Sequence, residues 1–122
     1  MAHEDKNRSL GEVVHDARVA LDWSLRDLAK KLDKTPSYLS DIENDRRIPA
    51  EDMLVDLAKL LKLDFDDLMA RAGRFGEDAV RYMMRTPAAG VLFRKLAERN
   101  APPDTVEKFI KDAERLPGKK RE

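Results

Sequence analysis

The run from Ser24 to Pro49 constrains this chain more than any other part of it. Ser24 is a hydroxyl residue suited to capping a helix, and Asp27 stands three positions on to complete a capping box. Leu25, Leu28, Ala29 and Leu32 then supply a buried face at helical spacing. After the turn Asp33-Lys34, a second helix starts at Thr35-Pro36, because Thr caps and Pro is favoured at the first helical position. Leu39 and Ile42 are its core anchors, and the polar, doubly basic loop Asn44-Asp-Arg-Arg-Ile-Pro49 follows. The spacing predicts two short helices joined by a tight turn.

Further helices flank this pair. Ser9 and Glu12 form another capping box, and Leu10, Val13, Val14, Ala17 and Leu21 follow helical spacing behind it. Beyond the loop, a helix over about 50–61 turns Met53, Leu54, Leu57, Ala58 and Leu61 inward. Asp64 opens the next, where Phe65, Leu68 and Met69 pack, and it stops near Gly73. Gly73 and Gly76 flank a break in the pattern. Helical periodicity resumes over 77–85 and 88–99, and Asp104 is expected to cap a last helix with Val106, Phe109, Ile110, Ala113 and Leu116 as its stripe. Trp23 reads as a plug at the corner of the first two helices, and Met53, Met69, Met83 and Met84 as soft packing fillers. The expected fold class is all-α. It comprises a five-helix domain over residues 1–73 and a C-terminal extension of about three helices over 74–122, with frayed ends.

Two short helices across a tight turn allow the second to lie in the DNA major groove. Charge makes a specific demand on that reading. The chain carries 24 Lys+Arg and 24 Asp+Glu, but residues 1–73 hold 12 against 16, a net of −4, and residues 74–122 hold 12 against 8, a net of +4. Phosphate contacts dominate affinity for DNA, so binding has to rest on the local cluster Arg8, Lys30, Lys34, Arg46 and Arg47. The acidic charge of residues 1–73 also motivates a second reading, a protein-docking module such as an antitoxin or bridging adaptor.

Other chemistry finds little support. The absence of cysteine excludes disulfides, thiol catalysis and a Cys-based zinc site. No apolar run approaches the roughly 20 residues that cross a bilayer, and a cytoplasmic protein with no membrane association is expected. Only two histidines occur, His3 and His15, and His15 beside Asp16 and Glu12 reads as a surface pair. Asp64, Asp66 and Asp67 sit at a helix start, where negative charge complements the helix dipole. No catalytic residue, metal or cofactor is expected.

Residues 10–72 resemble the lambda-repressor/Cro-like (XRE) helix-turn-helix regulators. The resemblance rests on Ser24-Leu-Arg-Asp-Leu-Ala-Lys-Lys-Leu32, Thr35-Pro-Ser-Tyr-Leu-Ser-Asp-Ile-Glu-Asn44, Pro49 and Leu57-Ala-Lys-Leu-Leu-Lys-Leu-Asp-Phe-Asp-Asp-Leu68. It implies a sequence-specific transcriptional regulator, most simply a repressor, that binds a pseudo-palindromic operator in double-stranded DNA as a homodimer. It places Pro36, Ser37, Ser40 and Asp41 at base edges, and Lys34, Thr35, Tyr38, Asn44, Arg46 and Arg47 at phosphates. It also sets Arg18 opposite Glu43 as an ion pair that ties the first helix to the recognition helix. The family's usual glycines in the turn and after the recognition helix are Asp33 and Asp45 here, and Asp tolerates left-handed backbone better than most residues. Residues 74–122 are similar to the helical extensions of short XRE regulators, some encoded beside zinc metallopeptidases that cleave them, so such a metallopeptidase is a candidate regulatory partner. The expected dimerisation residues are Met84, Val91, Leu92, Phe93, Leu96, Phe109, Ile110 and Leu116.

Overall fold

The structure is a computed structural model that describes residues 8–118. The expectations for both chain ends, with His3, lie outside them. The described residues form eight α-helices and no strand: α1 (Leu10–Ala20), α2 (Leu25–Leu32), α3 (Pro36–Glu43), α4 (Glu51–Leu61), α5 (Phe65–Arg71), α6 (Glu77–Arg85), α7 (Pro87–Glu98) and α8 (Pro103–Glu114). The chain is all-α and divides into two compact units, residues 1–78 and 79–122.

In the first unit, local chemistry sets the helix starts. The Ser9 hydroxyl accepts from the Glu12 N–H at 3.1 Å while the Glu12 carboxylate accepts from the Ser9 N–H at 3.0 Å. Ser24 and Asp27 repeat the exchange at 3.0 and 2.9 Å. The Ser24 backbone N–H, then its hydroxyl, hold the Asp27 carboxyl below its ordinary pKa, since hydrogen bonds to a carboxylate favour the charged form. Asp33 ends α2 in the left-handed region at φ 57°, and Asp45 follows α3 at φ 60°. The core gathers Val14, Leu28, Leu39, Ile42, Leu54, Leu57 and Leu68, all fully buried. Trp23 packs partly buried against it with the Lys31 ammonium 4.7 Å above its ring.

Helix α1 approaches the end of α3 closely at Gly11. A Cβ built on Gly11 would lie 2.5 Å from the Glu43 carbonyl oxygen and 2.6 Å from that of Ile42. Both are backbone atoms and cannot swing aside. Alanine in place of glycine in a helix ordinarily gains up to about 1 kcal/mol, whereas overpacking costs about 1–3 kcal/mol. Gly11→Ala is therefore expected to destabilise the unit by about 2 kcal/mol in denaturant unfolding. A gain in stability would show that the two helices stand further apart.

In the second unit, α6, α7 and α8 bury no residue completely. Its apolar side chains are largely exposed, among them Met84 at 77%. Met84 is thus not a packing filler within the unit, while Met53 and Met69 are buried as expected and Met83 partly so. The last helix also starts differently from its reading in the sequence. Pro102 occupies the cap position and Pro103 the first helical position, so Asp104 lies in the first turn. Proline's fixed φ suits that position, and its missing N–H is not needed there.

Candidate nucleic-acid interface

Helix α3 owes its placement to one cap and two anchors. The Thr35 hydroxyl oxygen accepts from the Tyr38 N–H at 3.1 Å, which leaves the hydroxyl proton available to an acceptor. Leu39 and Ile42 are 0% and 1% exposed, so they fix the rotation of the helix. The opposite face consequently presents Pro36 and Ser37 to solvent, with Ser40 and Asp41 half-buried beside them.

Three cationic side chains collect around this face. The Lys34 ammonium lies 5.2 Å and the Arg47 guanidinium 5.0 Å from the centroid of the Tyr38 ring, within range of a cation–π attraction. Tyr38 therefore draws together the turn before α3 and the loop after it. Arg46 folds back over the helix: its N–H donates to the Asp41 carbonyl at 2.8 Å and its Nε to Asp41 Oδ1 at 3.1 Å. Asn44 turns inward on α3 instead, with its amide nitrogen 2.8 Å from the Ser40 carbonyl oxygen. Arg8, another member of the basic cluster expected from the sequence, pairs with Asp16 of α1 at 2.5 Å.

Two connections fasten α3 to α1. The Arg18 Nε donates to Glu43 Oε2 at 2.7 Å and its Nη2 to Oε1 at 3.1 Å, a bidentate pair whose side chains are 10% and 6% exposed. Arg18 Nη1 also donates to the Trp23 carbonyl at 2.7 Å, so one guanidinium joins α1, the α1–α2 corner and α3. The hydrogen bond to Glu43 raises the Arg18 pKa above its ordinary value, against the opposing effect of burial, and the Glu43 charge adds to the rise. His15 Nδ1 lies 3.1 Å from Glu43 Oε1, so this residue serves the same cluster, not a pair with Glu12 or Asp16.

The second connection was not legible in the sequence. Asp45 Oδ2 accepts from the Ser9 hydroxyl at 2.6 Å and its Oδ1 from the Gly11 N–H at 2.9 Å. A carboxylate thus sits at the N-terminus of α1, where the helix dipole favours negative charge. This anchoring offsets the left-handed backbone that Asp45 adopts where glycine is usual. A glycine at the second position of a helix, where its flexibility is unfavourable, is the one local signal that a close approach was required.

The comparisons agree with this geometry. Residues 14–68 match the family model described as Helix-turn-helix, a span from α1 through most of α5. The chain is 36% identical over 61 residues to the "ImmF control region 10 kDa protein" of Bacillus phage phi105, covering 50% of this chain and 68% of that protein. No solved structure matches. A shared sequence over two thirds of that relative, together with the family-model match, makes this protein a member of the lambda-repressor/Cro-like (XRE) helix-turn-helix family of DNA-binding transcription regulators.

Proposed function

We propose that this protein represses transcription by binding a pseudo-palindromic operator as a homodimer. The observation that carries the reading is the outward face of α3, a row of polar side chains flanked by the basic cluster on Tyr38. With α3 in the major groove, Pro36 offers apolar contact to a thymine methyl, while Ser37, Ser40 and Asp41 reach base edges. Lys34, Thr35, Tyr38, Arg46 and Arg47 meet phosphates, which fix register and carry no sequence information, and Asn44 joins them once its amide releases Ser40. The relative named for a phage control region suits such a regulator. A cytoplasmic site of action goes with that role.

Pairing falls to residues 74–122 in this reading. Their helices bury nothing, and Met84, Val91, Leu92, Phe93, Phe109, Ile110 and Leu116 are exposed, with Leu96 partly so. A stretch of about 50 residues without a core gains stability from association. A second copy is the occupant this face suits, since a two-fold dimer matches a two-fold operator, with half-sites about one DNA turn apart. A regulatory metallopeptidase could engage the same helices.

Selection of randomised DNA by the purified protein, at about 50 and about 150 mM salt, tests the reading. A palindromic motif at both is expected, and Ser37→Ala should change it. Arg47→Ala should leave the motif intact, weaken binding uniformly and reduce the slope of log K against log salt by about 1. No enriched motif at either salt would instead favour the protein-docking module that the charge of −4 over residues 1–73 suggests.

A further inference from the structure

Asp41 and Arg46 hold each other in an arrangement that neither residue dictates alone. Asp41 lies on the outward face of α3, and Arg46 stands five positions later, beyond the end of the helix. The chain returns to Asp41 because Asp45 takes the left-handed conformation, and Asp45 is pinned to Ser9 and Gly11 of α1. That reversal sets the Arg46 N–H on the Asp41 carbonyl at 2.8 Å and its Nε on Asp41 Oδ1 at 3.1 Å. A backbone bond and a side-chain bond therefore join the same two residues.

The remaining hydrogen-bonding capacity of the pair has a definite pattern. Nε is occupied, and the two Nη groups of Arg46 keep their donors in the rigid plane of the guanidinium. Asp41 Oδ2 keeps its acceptor capacity, because the bond from Arg46 falls on Oδ1. Two donors beside one acceptor is the complement of a G·C pair in the major groove, where guanine presents N7 and O6 as acceptors and cytosine its N4 amino donor. An A·T pair offers an acceptor, a donor, an acceptor and a methyl group, and matches this pattern poorly.

We propose that Asp41 and Arg46 act as one composite reader of a single G·C base pair, with Arg46 contacting guanine and Asp41 both orienting Arg46 and accepting from cytosine. The proposal rests on α3 entering the major groove. It gives Arg46 a sequence-reading role beyond a phosphate contact, and it explains how an aspartate is tolerated close to DNA, since its charge is already neutralised. In water an exposed pair of this kind contributes little, but exclusion of water at the interface strengthens it.

The test selects randomised DNA with the full-length protein, Asp41→Ala, Arg46→Ala and the double variant, with Ser37→Ala as a contrast. Both single variants should lose a G·C preference at the same operator position, by roughly 10- to 100-fold. The double variant should lose no more than the worse single one, because each residue works through the other. Ser37→Ala should alter a different position. Circular dichroism of each variant should match the wild type, as both side chains are at the surface. A wild-type motif that Asp41→Ala leaves unchanged overturns the pair alone. So does an Arg46→Ala variant that weakens all sequences equally, which is the signature of a phosphate contact. A wild-type protein that selects no motif removes the groove reading, and the pair with it.

Discussion

Glu43→Ala is expected to destabilise the first unit by about 3–5 kcal/mol, because removing one partner of a buried ion pair strands the other. Arg18 is 8% exposed, and Glu43 supplies both oxygens to its guanidinium at 2.7 and 3.1 Å. Without them Arg18 keeps the Trp23 carbonyl and loses the counter-charge that Glu43 supplies. An open cleft of about 620 Å³ beside the pair, walled in part by Arg8, Glu12 and Asn44, admits water and moves the expectation toward the lower end. Denaturant unfolding at constant m measures the loss. A value below about 1 kcal/mol would place the pair with surface salt bridges instead.

The double variant Arg18→Met/Glu43→Leu separates stability from orientation. It should cost less than either single substitution, since no charge is left alone in the interior. If the pair serves to aim α3, this stable double variant should still bind operator DNA more weakly than wild type. The Arg18 side of the cycle does not vary across the neutral range. Its pKa is raised on folding, so its contribution is complete below the unfolded value and is lost only as pH rises through a still higher one.

What the sequence made legible follows the range of the forces involved. The starts of α1, α2 and α3 are fixed by hydroxyls at Ser9, Ser24 and Thr35 acting on N–H groups three residues away, so reading neighbours sufficed. The outward phase of Pro36 and Ser37 followed from Leu39 and Ile42, because helical geometry ties them together. Asp45 was a different case. Its partners Ser9 and Gly11 lie 36 and 34 residues earlier, and nothing local to Asp45 points to them. His15 with Glu43, 28 residues apart, escaped for the same reason. Asn44 and Asp41 were legible as surface positions but not in direction, since a short polar side chain near a helix end can turn to the backbone, to a neighbour or to a ligand. Asp104 was misplaced by local competition, because Pro102 and Pro103 begin the helix before it.

Truncation after Asp78 is expected to lower operator affinity by about 10²- to 10⁴-fold, the gain that linking two half-site contacts ordinarily provides. The cut belongs there and not at Gly73, because Arg74 Nε donates to the Pro49 carbonyl at 2.9 Å and so belongs to the first unit. Every buried hydrophobic residue described lies between Leu10 and Ala72. The 1–78 fragment should therefore fold with an unfolding midpoint close to that of the same unit in the whole chain. A fragment that fails to fold would refute that allocation of the core. Sedimentation should find the fragment monomeric and the whole chain dimeric, and a fragment that still dimerises and binds fully would refute pairing through residues 74–122. The residues removed, 79–122, hold 11 Lys+Arg against 6 Asp+Glu, a net charge of +5, so a loss of affinity could come from charge as well as from pairing. A single half-site separates the two. If pairing is the cause, fragment and whole chain should bind one half-site with similar affinity and similar salt dependence. A direct electrostatic contribution would instead weaken the fragment there too, and flatten its salt slope by about 0.9 for each phosphate it no longer neutralises.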